Sequence, residues 1–239
     1  MWLLTVLVLA AGLAACGGND STPRQPEASG IYLSLGDSVA AGNGASDPAS
    51  TSFAAIVADE EKLDLVNLAV AGSATADVIE KQLPQIAGVV GGRAVGLITI
   101  SVGGNDLAGL IPNAACQEDP LPAACPLEET LSGVADRYRT ILMFLREAYP
   151  EADVVVLAYP NFFSGTGHVF EAPAARVLPR LGEVLREVAM RFERVGVAAP
   201  SFEGRGGELT HVLDAAFDPH PNDAGHGVIA DAILVAVGE

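Results

Sequence analysis

The sequence predicts an α/β fold in which helices cover both faces of a parallel sheet. Two observations carry that expectation. Short apolar runs rich in β-branched residues alternate with segments of helical periodicity from residue 31 onward, the order that builds a parallel sheet. Hydrophobic residues make up 50% of the 239, and no long linker interrupts the alternation. One large domain from about residue 31 to 239 follows, with interior enough for a real core.

The elements can be taken in order. Candidate strands are Ile31–Leu35, Leu63–Leu68, Val95–Val102, Ala152–Ala158 and Gly196–Ala199. Helical patterns lie between them. In Glu128–Ala148 the positions Leu131, Val134, Tyr138, Ile141, Leu142 and Leu145 share one face. A second stripe runs through Leu181, Val184, Leu185, Val188 and Phe192, and a third through Val228, Ile229, Ala232, Ile233 and Val235. No repeat period stands out.

Residues 1–15 (MWLLTVLVLAAGLAA) are apolar and uncharged. The run is short for a membrane span, which needs about 20 apolar residues. It closes on Leu13-Ala14-Ala15-Cys16, followed by Gly17-Gly18, and so resembles the lipobox of a bacterial lipoprotein signal peptide. That resemblance implies cleavage before Cys16 and a lipid on its sulfur, although the leader lacks the usual Lys or Arg. Residues 16–30, with two prolines and no apolar run, read as a polar tether. The expected location is therefore outside the cytoplasm, anchored to the cell membrane through Cys16.

Charge narrows the partners. The net charge is −17, with 13 basic residues of which only Lys62 and Lys81 are lysines. Nothing here neutralises a row of phosphates, so nucleic acid is excluded as a partner. Anionic lipid would repel such a domain, so membrane attachment must come from the lipid on Cys16. Cys116 and Cys125 stand close together in a Pro-rich loop. Outside the cytosol such a pair is expected to form a disulfide, worth roughly 2–3 kcal/mol in the chain-entropy model.

Open α/β sheets bind ligands beyond the carboxyl ends of their strands. The first strand leads into Gly36-Asp37-Ser38, the second into Val70-Ala71-Gly72-Ser73, and the third into Gly103-Gly104-Asn105-Asp106. Asp218-Pro219-His220-Pro221-Asn222 stands just before the last helix. A serine, two Gly-flanked turns and a histidine are the parts of acyl transfer: nucleophile, oxyanion donors and base. Asp218, His220 and His226 do not form a recognised metal spacing, so no metal is expected. His168 and His211 lack a motif and read as surface residues.

Together SLGDSVAAGNG, NLAVAGSAT, ISVGGNDL and DPHPNDAGH resemble, in order and spacing, the blocks of the SGNH hydrolases, also called GDSL-type esterases and lipases. The resemblance implies a three-layer α/β/α sandwich with an open five-stranded parallel sheet, flavodoxin-like in arrangement. It implies Ser38 as nucleophile and His220 as general base. The Ser38 and Gly72 backbone N–H groups and the Asn105 side-chain amide would form the oxyanion hole. Asp37 and Asp106 would organise their turns.

Two departures stand out. Val39 follows Gly-Asp-Ser where the family has Leu, and Phe217 occupies the place three before the histidine where the family has Asp. Asp218 is therefore the expected orienting acid, with a Ser–His dyad as the alternative. The chemistry implied is hydrolysis of acyl esters through an acyl-enzyme, by a monomer without cofactor. A carbohydrate or cell-wall O-acetyl esterase uses the same parts. A non-catalytic lipoprotein that binds a ligand is the reading from another class. The survival of Ser38, Gly72, Asn105 and His220 together speaks against it.

Overall fold

A computed structural model describes residues 30–113, 116 and 124–237. The leader assigned to residues 1–15, Cys16, and all of the tether except Gly30 lie outside the described residues. Five strands, β1 (Ile31–Gly36), β2 (Asp64–Asn67), β3 (Val95–Ser101), β4 (Asp153–Leu157) and β5 (Val195–Ala198), form one sheet in the order β2-β1-β3-β4-β5. Every pairing is parallel. All five strands start and end within one residue of the segments expected from sequence.

Burial follows position in the sheet. The six residues of β1 are all buried, whereas β2 at one edge and most of β5 at the other are partly exposed. A strand between two neighbours and under two helical layers has no solvated face, which is why β1 and β3 read as continuous apolar runs.

Helices α1 (Ser38–Ala41), α2 (Phe53–Glu61), α3 (Thr75–Asp77), α4 (Ile86–Val90), α5 (Gly104–Leu107), α6 (Leu127–Ala148), α7 (Glu171–Ala189), α8 (Gly206–Leu209) and α9 (Asp223–Ala236) complete the described fold. A wide turn at Val78–Gln82 and a tight one at Leu83–Gln85 join α3 to α4 as one irregular coil. The two long helices α6 and α7 pack together, and α2 packs on α9, giving a layer on each face of the sheet.

The α6 stripe from Leu131 to Leu145 is buried as its periodicity requires. Asn222 caps α9 by accepting from the Gly225 N–H at 3.1 Å. The buried face of α9 runs through Ile229, Ala230, Ile233 and Ala236. Val235, assigned to that stripe from sequence, is 72% exposed: two residues beyond Ile233 the helix has turned about 200°. Phe192 lies beyond the end of α7 but still packs against the core.

The order of strands places the chemistry. The chain leaves β1 for β2 on one side, and β3 lies on the other. That reversal opens a crevice at the carboxyl ends of β1 and β3. Ser38 follows β1 and Asn105 follows β3, so both turns face the same crevice.

Candidate active site

The Ser38 turn is fixed before the serine is reached. Gly36 ends β1 with φ +139°, and a Cβ there would stand 2.0 Å from the Ser101 carbonyl oxygen, so only glycine fits. Asp37 then caps α1, its Oδ1 accepting the Val39 N–H at 3.0 Å. This makes Ser38 the first residue of the helix. Oδ2 of Asp37 accepts the Tyr159 hydroxyl at 2.6 Å, and that hydroxyl lies 3.2 Å from Ser101 Oγ. Burial pushes the Asp37 carboxyl up to about 6, against the pull of the Tyr159 hydroxyl and the Val39 N–H.

Gln82, wholly buried, secures the same turn from the other side. Its Oε1 accepts the Gly36 N–H at 2.9 Å, while Nε2 donates to the Gly36 carbonyl at 2.7 Å and to Ser73 Oγ at 3.3 Å. One amide thus joins the Ser38 turn to the turn that carries Gly72.

The structure brings Ser38, His220 and Asp218 into line. His220 Nε2 is 2.8 Å from Ser38 Oγ, and the other ring nitrogen, Nδ1, bonds to Asp218 Oδ1. A carboxylate only accepts, so Nδ1 carries the ring proton and Nε2 is left to accept from the serine hydroxyl. The shortened spacing is absorbed locally: Asp218 Oδ1 also accepts the His220 backbone N–H at 3.0 Å, an Asx turn that folds the acid back onto its own histidine. Burial works against the charge on Asp218, but these bonds to His220 hold its carboxyl below the usual carboxylate range.

Gly72 and Asn105, the residues expected to donate to an oxyanion, lie on two clamped turns. Gly72 has φ +83° with nothing within 4 Å of a would-be Cβ, so the dihedral and not the space selects glycine. Asn105, in α5, donates one Nδ2 hydrogen to the Ser73 carbonyl at 2.9 Å, which leaves the second for a ligand. Asp106 beside it accepts from Thr75 N and Oγ1, at 2.9 and 2.7 Å, and from Arg137 Nη2 of α6 at 2.9 Å. The Asp106 side chain is 5% exposed. This nearly buried, fully bonded group locks the two turns to each other and to α6.

A cavity of about 290 Å³ opens beside these residues, with Ser38, Asn105 and His220 in its lining. Apart from Asp37 and Tyr159 its remaining wall is apolar, mainly Ile111, Phe162, Phe163, Phe170, Leu178 and Phe217. Gly72 stands outside that lining. Phe217, in the place where the family resemblance leads one to expect an acid, stacks against His168 with centroids 4.9 Å apart. His168 in turn stacks on Phe163 at 5.2 Å. The ring read as a surface histidine thus packs against two aromatic residues of the cavity wall. Cys116 and Cys125 form a disulfide in the loop beyond Ile111 and Pro112.

His226 is occupied elsewhere. It is buried, Nδ1 accepts the Phe53 N–H at 3.3 Å, and Nε2–H donates to the Asn43 carbonyl at 3.0 Å. Burial pulls its pKa down. Gln82, Tyr159 and Arg137 carry no motif, and each reaches the turns of the site through contacts that sequence reading did not supply.

Comparison with known proteins bears on the family and the fold. The chain is 31% identical over 181 residues to Lipase 1 of Streptomyces coelicolor, a match covering 67% of this chain and 63% of the relative, less than two thirds of its length. Among solved structures, phospholipase A1 from Streptomyces albidoflavus superposes with a TM-score of 0.66 at 22% identity, over 88% of this chain and 100% of the other. An extracellular lipase from Streptomyces rimosus superposes with a TM-score of 0.64 at 21% identity, over 87% and 100%. At these identities the superpositions show the fold. Residues 34–228, spanning all four blocks and all five strands but the first residues of β1, match one family along their whole length, and the chain belongs to the GDSL-like lipase/acylhydrolase family.

Proposed function

We propose that the chain is a serine carboxylic-ester hydrolase that works through an acyl-enzyme on Ser38. The observation that carries this reading is the continuous hydrogen-bonded line from the Ser38 hydroxyl through His220 to Asp218 at an apolar cavity. A serine hydroxyl is a weak nucleophile until a base takes its proton. His220 Nε2 takes it as Oγ attacks the ester carbonyl, and then returns it to the leaving alcohol. Asp218 holds the tautomer and offsets the charge on the imidazolium. The tetrahedral oxyanion falls to the free Asn105 amide hydrogen and to the N–H groups of Ser38 and Gly72. Water repeats the sequence on the acyl-enzyme. Every step is a proton or acyl transfer within reach of these side chains.

The aromatic wall of Phe162, Phe163, Phe170 and Phe217 suits an acyl chain longer than acetyl. Graded p-nitrophenyl esters test this. From acetate upward, kcat/KM should rise about fourfold per methylene while the chain still fits, the equivalent of about 0.8 kcal/mol per buried CH₂. A maximum at acetate would favour the O-acetyl esterase instead, and no hydrolysis at any length the ligand-binding lipoprotein. In the same series Asn105→Ala should lower kcat by about 10²–10³ with little change in KM, since its bond forms only to the developing charge.

We also propose that the enzyme acts outside the cytoplasm as a lipoprotein attached through Cys16. The Leu-Ala-Ala-Cys boundary and the polar stretch after it support this. Among the described residues no helix is long and apolar enough to cross a membrane. Mass spectrometry of membrane-extracted protein should find Cys16 as the N-terminus, carrying lipid. A mature form starting at any other residue would refute the anchor and leave the esterase untouched.

A further inference from the structure

Three histidines converge on the Ser38 and His220 loops, and their hydrogen-bond partners differ in kind. His226 has one donor and one acceptor, Phe53 N–H and the Asn43 carbonyl, and so is satisfied as a neutral ring. His220 has the Asp218 carboxylate and a hydroxyl that can donate, and is likewise satisfied neutral. His211 has two acceptors. Its Nε2 lies 2.9 Å from the Gly44 carbonyl and its Nδ1 2.6 Å from Asp214 Oδ2. Neither partner donates, so both bonds exist together only when the ring carries both protons.

The place of these bonds gives them a consequence. Gly44 follows the C-terminal cap of α1, the helix that begins at Ser38, and Asn43 N–H donates back to the Ser38 carbonyl at 2.9 Å. Gly44 has φ +86°, and a Cβ on it would stand 2.2 Å from the Pro221 carbonyl oxygen and 2.9 Å from His220 Cβ. The turn after the serine helix therefore rests directly on the His220-Pro221 segment. His211 spans the same junction: its own N–H donates to the His220 carbonyl at 3.1 Å while its ring holds Gly44. We propose that His211 is a positioning residue, a cationic clip that holds the Ser38 turn against the His220 loop and is released as the pH rises.

The charges acting on the ring are Asp214 and Asp218 from its own loop and His226 from α9. From the Ser38 side the group in contact is the uncharged Gly44 carbonyl. The bond to Gly44 and then the bond to Asp214 raise the His211 pKa above its ordinary 6.5. The sign follows: the clip is complete below 6.5 and is lost as the pH climbs through the raised value. A neutral ring keeps one N–H and must give up either Gly44 or Asp214.

The role in catalysis rests on the esterase reading, and the test separates the two. His Cε1–H resonances are followed by NMR from pH 5 to 9, with His211→Ala to assign the signal, while kcat for a short p-nitrophenyl ester is measured over the same range. Wild type should show a His211 pKa above 6.5 and a fall in kcat of about threefold to tenfold through that pKa, the scale of a small misplacement of reacting groups. Asp214→Asn offers an amide that donates to Nδ1, so a neutral ring keeps both bonds. Its kcat should match wild type at pH 6 and lose the alkaline step. A His211 pKa at or below 6.5, or an alkaline profile unchanged in Asp214→Asn, overturns the clip. A raised pKa in a protein that hydrolyses no ester would overturn the proposed function and leave the clip standing.

Discussion

Ser38→Ala should lower kcat for ester hydrolysis by about 10⁶, the scale found when the nucleophile is removed from an intact serine–histidine–acid unit. The size follows from interdependence. Without Oγ, His220 has no proton to move and Asp218 no imidazolium to stabilise, so the line from Ser38 to Asp218 fails as a unit. What remains is the contribution of the oxyanion donors and of binding. The substitution should not unfold the protein. Asp37 caps α1 through the Val39 N–H, which alanine leaves in place, and the turn is held by Gly36 and Gln82. Alanine also has the best helix propensity at the position it would occupy. Thermal unfolding should therefore match wild type while labelling by a fluorophosphonate probe disappears. Labelling of the variant at the wild-type rate would place the nucleophile at another residue.

The parts of the site that the sequence made legible share one property: each sits at the end of a strand or the start of a helix, where local pattern marks it. Ser38 and Asn105 follow runs that are apolar because β1 and β3 are buried on both faces. His220 stands just before an amphipathic helix with an Asn cap. The parts that were not legible act across the fold. Gln82 reaches Gly36 over 46 residues, Tyr159 reaches Asp37 over 122, and His211 reaches Gly44 over 167. No local periodicity encodes such a contact, because the partner comes near only once the sheet has formed. Gln82 is further hidden by its setting. It lies at the end of a wide turn between two short helical pieces, where the 3.6-residue pattern is broken by Leu83-Pro84. For the same reason the coil from α3 to α4 and the short helix α2 were not individually evident, while α6, α7 and α9 were. His168 read as a surface residue because it carries no motif. The rings that surround it, Phe163, Phe170 and Phe217, are brought in mostly from other turns.

Asp218→Asn should lower kcat by up to about 10⁴, the loss known when the acid of a serine triad becomes an amide. The sequence left two outcomes open, because the acid stands two residues before His220 and Phe217 fills the more familiar place. The geometry favours the larger loss. Oδ1 of Asp218 binds both the His220 N–H and its ring Nδ1, so the acid is oriented by the residue it must orient. An asparagine can keep the backbone bond, but its amide carries no charge to stabilise the imidazolium. Turned the other way, its NH₂ would donate to Nδ1, place the ring proton on Nε2, and leave Ser38 facing a donor where it needs an acceptor. Against this, the Asp218 side chain is 42% exposed, so water shares some of its charge and the full loss of a buried triad acid is an upper bound. KM should change little, since Asp218 is not in the cavity wall. A loss below about tenfold would be that of a Ser–His dyad. Asp218 would then be a residue that shapes the His220 turn, with catalysis carried by Ser38, His220 and the oxyanion donors alone.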